Sequence, residues 1–178
     1  MSNKKESLLL VAEKLFYQYG FHSIGLKRII NESNIAIMTL YNHFNSKDDL
    51  IVEVLKRREQ LYIGHLKHYL VNDRSSTFLK LAEGHADWLV KNERRGCMFL
   101  RAKEEFGGDP VHPIVELVNN HKEAMIDFIL KIDAAITREK AMQLMLLLEG
   151  ATALAETEDP NIVGIQLVDM TNRLFHLS

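Results

Sequence analysis

The stretch that decides the fold is residues 25–50, GLKRIINESNIAIMTLYNHFNSKDDL. It predicts two short helices, over residues 25–32 and 36–44, joined by a tight turn at Asn34, because asparagine tolerates the left-handed conformation that such a turn needs. Leu40 and Phe44 lie four residues apart and are expected to anchor the second helix in a core. The other face of that helix is then left to polar side chains. The stretch therefore predicts a helix-turn-helix.

The flanking residues predict two further helices. Before the stretch, six residues have the spacing of one face of a first helix: Leu8, Leu9, Ala12, Leu15, Phe16 and Tyr19. Gly20 follows where a glycine commonly ends a helix. After it, Ser46 and Asp49 have the spacing of a capping box, with Asp in the place of Glu, and open a helix that continues to about Leu70. Residues 1–48 are thus predicted to form a three-helix head.

The rest of the chain has helical periodicity and no strand-like alternation. Polar breaks at residues 72–76, 92–96 and 107–110 separate the helices. Thr137 and Asp159-Pro160 are predicted caps for two C-terminal helices. We therefore expect an all-α protein of about nine helices, with an N-terminal three-helix head over 1–48 and a C-terminal helical bundle over 49–178.

Composition narrows the class of protein. The 178 residues are 47% hydrophobic and 26% charged, which is ordinary for a globular protein. The chain has no apolar run of the roughly 18 residues that a membrane span needs, no signal-peptide pattern and a single cysteine, so a cytoplasmic location is expected. Residues 1–58 hold nine Lys or Arg against six Asp or Glu, whereas the remainder holds 13 against 18. This weak asymmetry suggests that the N-terminal part tolerates phosphates.

Residues 39–50, preceded by Gly20-Phe21, Ile29 and Ile35, resemble the DNA-binding head of the TetR family. The most specific part is the run Leu40-Tyr41-x-His43-Phe44-x-Ser46-Lys47-x-x-Leu50. The resemblance implies a ligand-responsive regulator, most commonly a repressor, that binds a palindromic double-stranded DNA operator as a homodimer without a cofactor. It also implies phosphate contacts by Thr39, Tyr41, His43 and Lys47, and positions nearest the bases for Ile37, Met38 and Asn42. Lys27 and Arg28 on the preceding helix complete the predicted DNA-binding set.

The recognition helix departs from the family pattern at two places. Where the family commonly has Ala-Gly-Val-Ser, this chain has Ser33-Asn34-Ile35-Ala36, and Ala36 lacks a capping side chain. Where the family often has Lys-Gly, it has Ile37-Met38, so the recognition helix carries no positive charge. We therefore expect modest affinity for each head, with dimerisation supplying the remainder.

The C-terminal half resembles a subgroup of TetR-like regulators in a few short segments: residues 94–99, 104–106, 112–113, 121–122 and 146–151. The two resemblances together imply a DNA-binding domain over 1–48 and an all-helical ligand-binding and dimerisation domain over 49–178, whose small-molecule effector is unknown. The stretch 142–154 is apolar on most faces, which indicates burial or a partner. By the family pattern, the interface is expected to include seven residues of the last two helices: Leu144, Leu148, Ala151, Leu154, Ile165, Val168 and Leu174.

An effector pocket is predicted only by residue type. Four large apolar side chains and four polar ones are its candidates: Trp88, Phe99, Met125 and Phe128, with His85, Arg101, Glu104 and His121. We expect the effector to shift the helix that follows the head and so to release DNA. Cys97 is expected to be inert rather than a redox sensor.

Two other classes of function remain open. The first is a helical interaction module that no longer binds DNA, which the uncharged recognition helix favours. The second is a metal-dependent helical-bundle enzyme, for which His65 and His68 supply two ligands on one helix face. The sequence has no paired Glu-x-x-His motif, no phosphate loop and no nucleophile elbow. We therefore do not expect an enzyme.

Overall fold

The computed structural model describes residues 3–70, 76–91 and 95–175. These residues form nine helices and no strand, as the sequence predicts. The helices are α1 (Asn3–Tyr19), α2 (Leu26–Ser33), α3 (Ile37–Tyr41), α4 (Lys47–Tyr69), α5 (Thr77–Lys91), α6 (Met98–Phe106), α7 (Pro113–Ile132), α8 (Arg138–Leu154) and α9 (Pro160–Leu174). The predicted breaks at 72–76 and 92–96 lie mostly outside the described residues. None of the described helices is both long and apolar enough to cross a membrane.

The chain divides into two compact units. The first comprises residues 1–59 and 98–120, and the second comprises residues 60–97 and 121–178. These units do not follow the predicted boundary after residue 48, because α6 and the first part of α7 pack with the N-terminal helices. The division into DNA-binding and ligand-binding parts stays a prediction about function.

The first unit is built around the apolar face of α1. Leu8, Leu9, Ala12, Leu15 and Phe16 are all buried, as the periodicity predicts. Tyr19, on the same face, is the last residue of α1 and is half exposed. Its ring lies 4.2 Å from the guanidinium carbon of Arg28. Around the core, Arg57 and Arg58 of α4 bind Glu6 and Glu13 of α1 at 2.6–3.0 Å.

The helix ends of the first unit follow the predicted chemistry. Gly20 has φ +86°, and its N–H donates to the carbonyl of Phe16 at 2.9 Å. Asn34, with φ 53°, supplies the left-handed turn between α2 and α3. The Ser46 hydroxyl accepts from the N–H of Asp49 at 3.0 Å. The Asp49 carboxylate accepts from the N–H of Asn45, one residue before the cap, rather than from Ser46 itself.

The second unit has an apolar core formed by α5, α8, α9 and parts of α4 and α7. Its buried members come from all five helices and include Leu66, Leu81, Met125, Ile129, Leu144, Leu148 and Leu167. Helices α5 and α9 approach so closely that a Cβ on Gly164 would lie 2.9 Å from the Cβ of Ala86. The caps at Thr137 and Asp159 are confirmed, because each side chain accepts a backbone N–H of the helix that follows it.

A chain of hydrogen bonds crosses the second unit at His85. Its Nδ1 lies 2.7 Å from the Tyr62 hydroxyl, and its Nε2 lies 3.0 Å from the Thr152 hydroxyl. Thr152 donates to the carbonyl of Leu148, so its oxygen accepts from Nε2–H and leaves Nδ1 to accept from Tyr62. Burial lowers the pKa of His85 to about 4, so the imidazole is neutral at pH 7.

Candidate DNA-binding site

The site consists of α2, the turn at Asn34 and α3. Leu40 and Phe44 are buried, as predicted, and anchor the α3 segment in the first unit. Helix α3 is shorter than the predicted 36–44, because its regular part ends at Tyr41. The amides of His43 and Phe44 both donate to the carbonyl of Leu40 at 2.9 Å, which tightens the chain into a turn before α4 begins.

The face of α3 opposite its anchors is exposed. Ile37 is 53% exposed, Met38 is 68% exposed and Tyr41 is 49% exposed. Asn42 and His43 are also exposed, whereas Thr39 is half-buried. This face therefore combines apolar, aromatic and hydrogen-bonding side chains, and among residues 37–43 it carries no lysine or arginine.

The predicted cationic contacts differ in their surroundings. Lys27 is exposed on α2, and Lys47 is half-buried at the start of α4, where partial burial lowers its pKa. Arg28 forms an ion pair with Glu32 at 2.9 Å, in addition to its contact with Tyr19. Arg28 therefore has to exchange these contacts in order to bind a phosphate, whereas Lys27 is the more accessible cation.

The start of α3 lacks a side-chain cap. Ala36 occupies the N-cap with an extended backbone, φ −64° and ψ 141°, and no side chain bonds to the first amides of the helix. A serine or threonine at this position stabilises a helix by about 1 kcal/mol. The departure noted in the sequence therefore leaves α3 dependent on Leu40 and Phe44.

The eight predicted pocket residues are divided between the two units. Phe99, Arg101 and Glu104 belong to the first unit, and the other five belong to the second. Phe99 is buried, Glu104 is exposed, and Arg101 donates to the carbonyl of Tyr17 at 2.6 Å.

Within the second unit, most of the five remaining candidates make contacts with neighbouring side chains of the core. His85 is held by Tyr62 and Thr152, Met125 is part of the apolar core, and His121 is buried. Trp88 packs on the ring of Tyr62 at 5.2 Å, and Phe128 lines the core from outside.

A groove of about 590 Å³ in the second unit contains none of the eight candidates. It is lined from α4, α5 and α9, among others by Tyr69, Asp87, Val90, Gly164, Ile165 and Val168. Two of the predicted interface residues, Ile165 and Val168, thus line it. The predicted pocket as a whole stays a prediction.

The seven predicted interface residues fall into two groups. Leu144, Leu148 and Ala151 are buried in the core of the second unit, so they do not present their side chains to another molecule. Their position on α8 faces inward because α5 and α9 pack against it. Leu154, Ile165 and Leu174 are exposed, and Val168 is half-buried.

The exposed apolar residues of α8 and α9 extend beyond the predicted set. Four further apolar residues of the two helices are at least 43% exposed: Met142, Leu146, Ile162 and Met170. Apolar composition alone did not distinguish the two faces of α8, since nearly every position from 142 to 148 is apolar. Only the packing of the second unit shows which side chains face outward.

The histidines considered as metal ligands are engaged differently. His65 lies 3.0 Å from the carbonyl oxygen of Gly84 and 3.2 Å from the Asp87 carboxylate, while His68 is exposed. Across the described residues, His, Cys, Asp and Glu form no group of three that is able to hold a metal ion.

An all-helical chain with an exposed recognition helix on a helix-turn-helix defines a class of DNA-binding regulators. Residues 8–54 match the sequence model for "Bacterial regulatory proteins, tetR family". An HTH-type transcriptional regulator of Staphylococcus aureus (strain USA300) is 40% identical over 81 residues. That match covers 46% of this chain and 43% of the relative, so the alignment spans less than half of either protein.

Solved structures extend the similarity to the whole fold. A TetR-family transcriptional regulator from Streptomyces coelicolor is 27% identical, with a TM-score of 0.88 over 99% of this chain and 96% of the other. A TetR transcriptional regulator from Legionella pneumophila is 23% identical, with a TM-score of 0.79 over 98% of each chain, and shares the fold. Residues 8–54 therefore carry a TetR-type DNA-binding domain, and the described fold is that of solved TetR-family transcriptional regulators.

Proposed function

We propose that this protein is a transcriptional repressor that binds a palindromic DNA operator as a homodimer and leaves it when a small molecule binds. The observation that carries this proposal is the two-sided α3. Leu40 and Phe44 hold it from within, while Ile37, Met38 and Tyr41 stand outside. A recognition helix needs this division, because one face must be fixed while the other reaches the bases and phosphates of the major groove.

The exposed side chains suggest how the sequence is read. Thr39, Tyr41, His43 and Lys47 are suited to phosphate contacts, with Lys27 as a further accessible cation. Phosphate contacts fix the position of the head, and base contacts give specificity. Asn42 is suited to a hydrogen bond with a base edge, and Ile37 and Met38 are suited to thymine methyl groups. We expect the operator to contain thymine where these apolar side chains meet it.

Dimerisation is proposed through the outer faces of α8 and α9. Leu146 is 68% exposed and Ile165 is 66% exposed, and both belong to an apolar surface that also includes Met142, Leu154, Ile162, Met170 and Leu174. A surface of this kind is unusual on a monomer and marks an interface. A second copy of the chain is the proposed occupant, because a two-fold dimer presents two recognition helices to a palindrome.

The effector and its effect remain part of the proposal. The similarity to TetR-family regulators supports a small-molecule effector. Its binding is expected to act on α4, which begins next to the DNA-binding residues and runs on into the second unit. The effector must bind the DNA-free conformation more tightly, by about 1–3 kcal/mol, in order to lower operator affinity. A regulator of this kind acts where the chromosome is, so we propose a cytoplasmic location.

Selection of binding sites from a random DNA pool by the purified protein tests the function. We expect a palindromic site with half-sites about one helical turn apart, roughly 34–36 Å, and an affinity that falls steeply with salt. The uncharged α3 favours a second candidate, a helical interaction module without DNA binding. That candidate is supported if no site is enriched at any salt concentration, and the repressor proposal then fails.

A further inference from the structure

The end of α1 presents two kinds of backbone group that need partners. The last carbonyls of a helix have no donor within the helix, and the amides of the turn that follows it need acceptors. Here α1 ends at Tyr19, and Gly20-Phe21-His22 turn the chain towards α2. The position of this turn determines where α2 starts, and α2 in turn supports α3.

Helix α6 supplies partners for both kinds of group. The Arg101 guanidinium donates to the carbonyl of Tyr17 at 2.6 Å. One turn further along α6, the Glu105 carboxylate accepts from the N–H of Phe21 at 2.9 Å and from the N–H of His22 at 2.6 Å. A cation thus meets the carbonyl end of α1, and an anion meets the amides that follow. Both contacts have the charge that the backbone dipoles favour.

The fit around Glu105 depends on two neighbours. Gly20 allows the carboxylate to approach, because a Cβ at this position would lie 2.8 Å from Oε1 of Glu105. Phe106 packs beside the turn, with its ring 6.0 Å from that of Phe21 and 4.7 Å from that of His22. The Nδ1 atom of His22 also lies 3.1 Å from Glu105. The Glu105 carboxylate therefore packs closely against the α1–α2 turn and is not a simple surface ion pair.

A second polar contact of the same segment supports this arrangement. Nε2 of His112, just before α7, lies 3.3 Å from the Asp48 carboxylate in the first turn of α4. Residues 98–120 thus contact the N-terminal part of the first unit at two places, the α1–α2 turn and the start of α4. These two places flank the helix-turn-helix in sequence.

We propose that Glu105 is a positioning residue for DNA binding. Through its two backbone hydrogen bonds, α6 fixes the α1–α2 turn and thereby the orientation in which α2 and α3 meet DNA. This inference rests on the proposed operator binding. It assigns a role in that binding to a residue 83 positions from His22, far outside the predicted DNA-binding domain 1–48.

The test compares Glu105→Gln with Glu116→Gln in the full-length protein. A glutamine has one acceptor oxygen, so it leaves one of the two amides facing an NH₂ group. Glu116 is an exposed carboxylate of the same unit, and its replacement removes the same charge. We expect Glu105→Gln to speed hydrogen exchange at the amides of Phe21 and His22 about tenfold and to weaken affinity for the selected operator about five- to tenfold. Glu116→Gln is expected to change neither quantity.

The variant Glu105→Asp separates positioning from general stability. It keeps the carboxylate but shortens its reach, so partial recovery of both quantities is expected. The denaturant midpoint of each variant is measured alongside, and operator affinity is compared under conditions in which every variant is fully folded. Should Glu105→Gln not fold, Glu105→Asp is compared directly with the wild type.

Two results would overturn the proposal: unchanged exchange at both amides, or faster exchange with unchanged operator affinity. If the wild type itself selects no operator, the proposed function fails and the positioning role fails with it. The exchange rates then still decide whether Glu105 holds the turn.

Discussion

Both compact units have an apolar core, and the hydrogen bonds nearest to that core differ between them. In the first unit, charged side chains connect elements that are distant in sequence: Arg57 and Arg58 bind Glu13, and Glu105 binds the α1–α2 turn. In the second unit, the core is apolar, and its central hydrogen bonds join neutral groups around His85. Hydrogen bonds to charged groups are stronger than those between neutral groups, but a charged group near the surface can exchange its partner for water. A close-packed apolar core resists changes in the positions of its side chains.

The exposed faces differ in the same sense. The outer face of α3 has hydrogen-bonding and aromatic side chains beside a few apolar ones. Such a face suits a polar partner with a hydrated interface, such as DNA. The outer faces of α8 and α9 are apolar, which suits a protein partner. The comparison indicates that each unit offers the surface that its proposed partner requires.

The largest effect is expected at Leu40, one of the two apolar residues that anchor α3 in the first unit. Leu40→Ala removes a fully buried side chain and should lower the free energy of unfolding by about 3–4 kcal/mol. Its matched control is Met38→Ala on the exposed face of the same helix, which should leave stability within about 0.5 kcal/mol and still weaken operator binding. Denaturant unfolding and operator titration measure the two effects. Equal losses of stability would contradict the two-sided α3.

The second unit should carry a pH dependence that originates at His85. The pKa of His85 falls to about 4 in the folded chain from 6.5, because burial disfavours the imidazolium. Between these values the unfolded chain binds the additional proton, so stability is full above pH 6.5 and declines as the pH falls towards 4. The loss expected over this window is about 3 kcal/mol.

Denaturant unfolding at several pH values between 7 and 4 measures this decline. In His85→Gln the corresponding part of the decline should disappear, although other groups still contribute. If the wild type and His85→Gln lose stability in parallel, the imidazole is not the source.

Charged substitutions test whether the apolar outer face of α8 and α9 is the dimer interface. Leu146→Glu combined with Ile165→Glu places like charges where the two-fold interface is proposed and should raise the dimer dissociation constant about 100-fold. Leu61→Glu, at an exposed position of α4, is the control and should leave the dimer intact. Sedimentation analysis measures both, and an unchanged dimer in the double variant would place the interface elsewhere.

The smallest expected effect is a gain in the first unit. Ala36→Ser supplies the missing cap of α3 and should raise the free energy of unfolding by about 1 kcal/mol. Ala124→Ser, at an exposed position inside α7, offers the same change of side chain without a helix end and should give no gain. Thermal unfolding compares the two variants. A gain of the same size in both would show that capping is not its cause.

Local signals in the sequence determined the helices, their ends and the helix-turn-helix. Gly20 and Asn34 ended helices as their conformational freedom predicted, and Thr137 and Asp159 capped helices through their own oxygens. These features depend on neighbours within a few residues, so the sequence by itself specifies them. The family motif over residues 39–50 added the expected partner, DNA, because its residue types serve that contact directly.

The tertiary structure alone decided which distant groups meet. Nothing near Glu105 in the sequence indicates that it accepts from the amides of Phe21 and His22, and nothing near His85 indicates its bonds to Tyr62 and Thr152. In α8, the uniform apolar sequence did not distinguish buried Leu148 from exposed Leu146. Contacts of this kind depend on how whole helices pack, and helical periodicity fixes a face only where apolar and polar residues alternate around it.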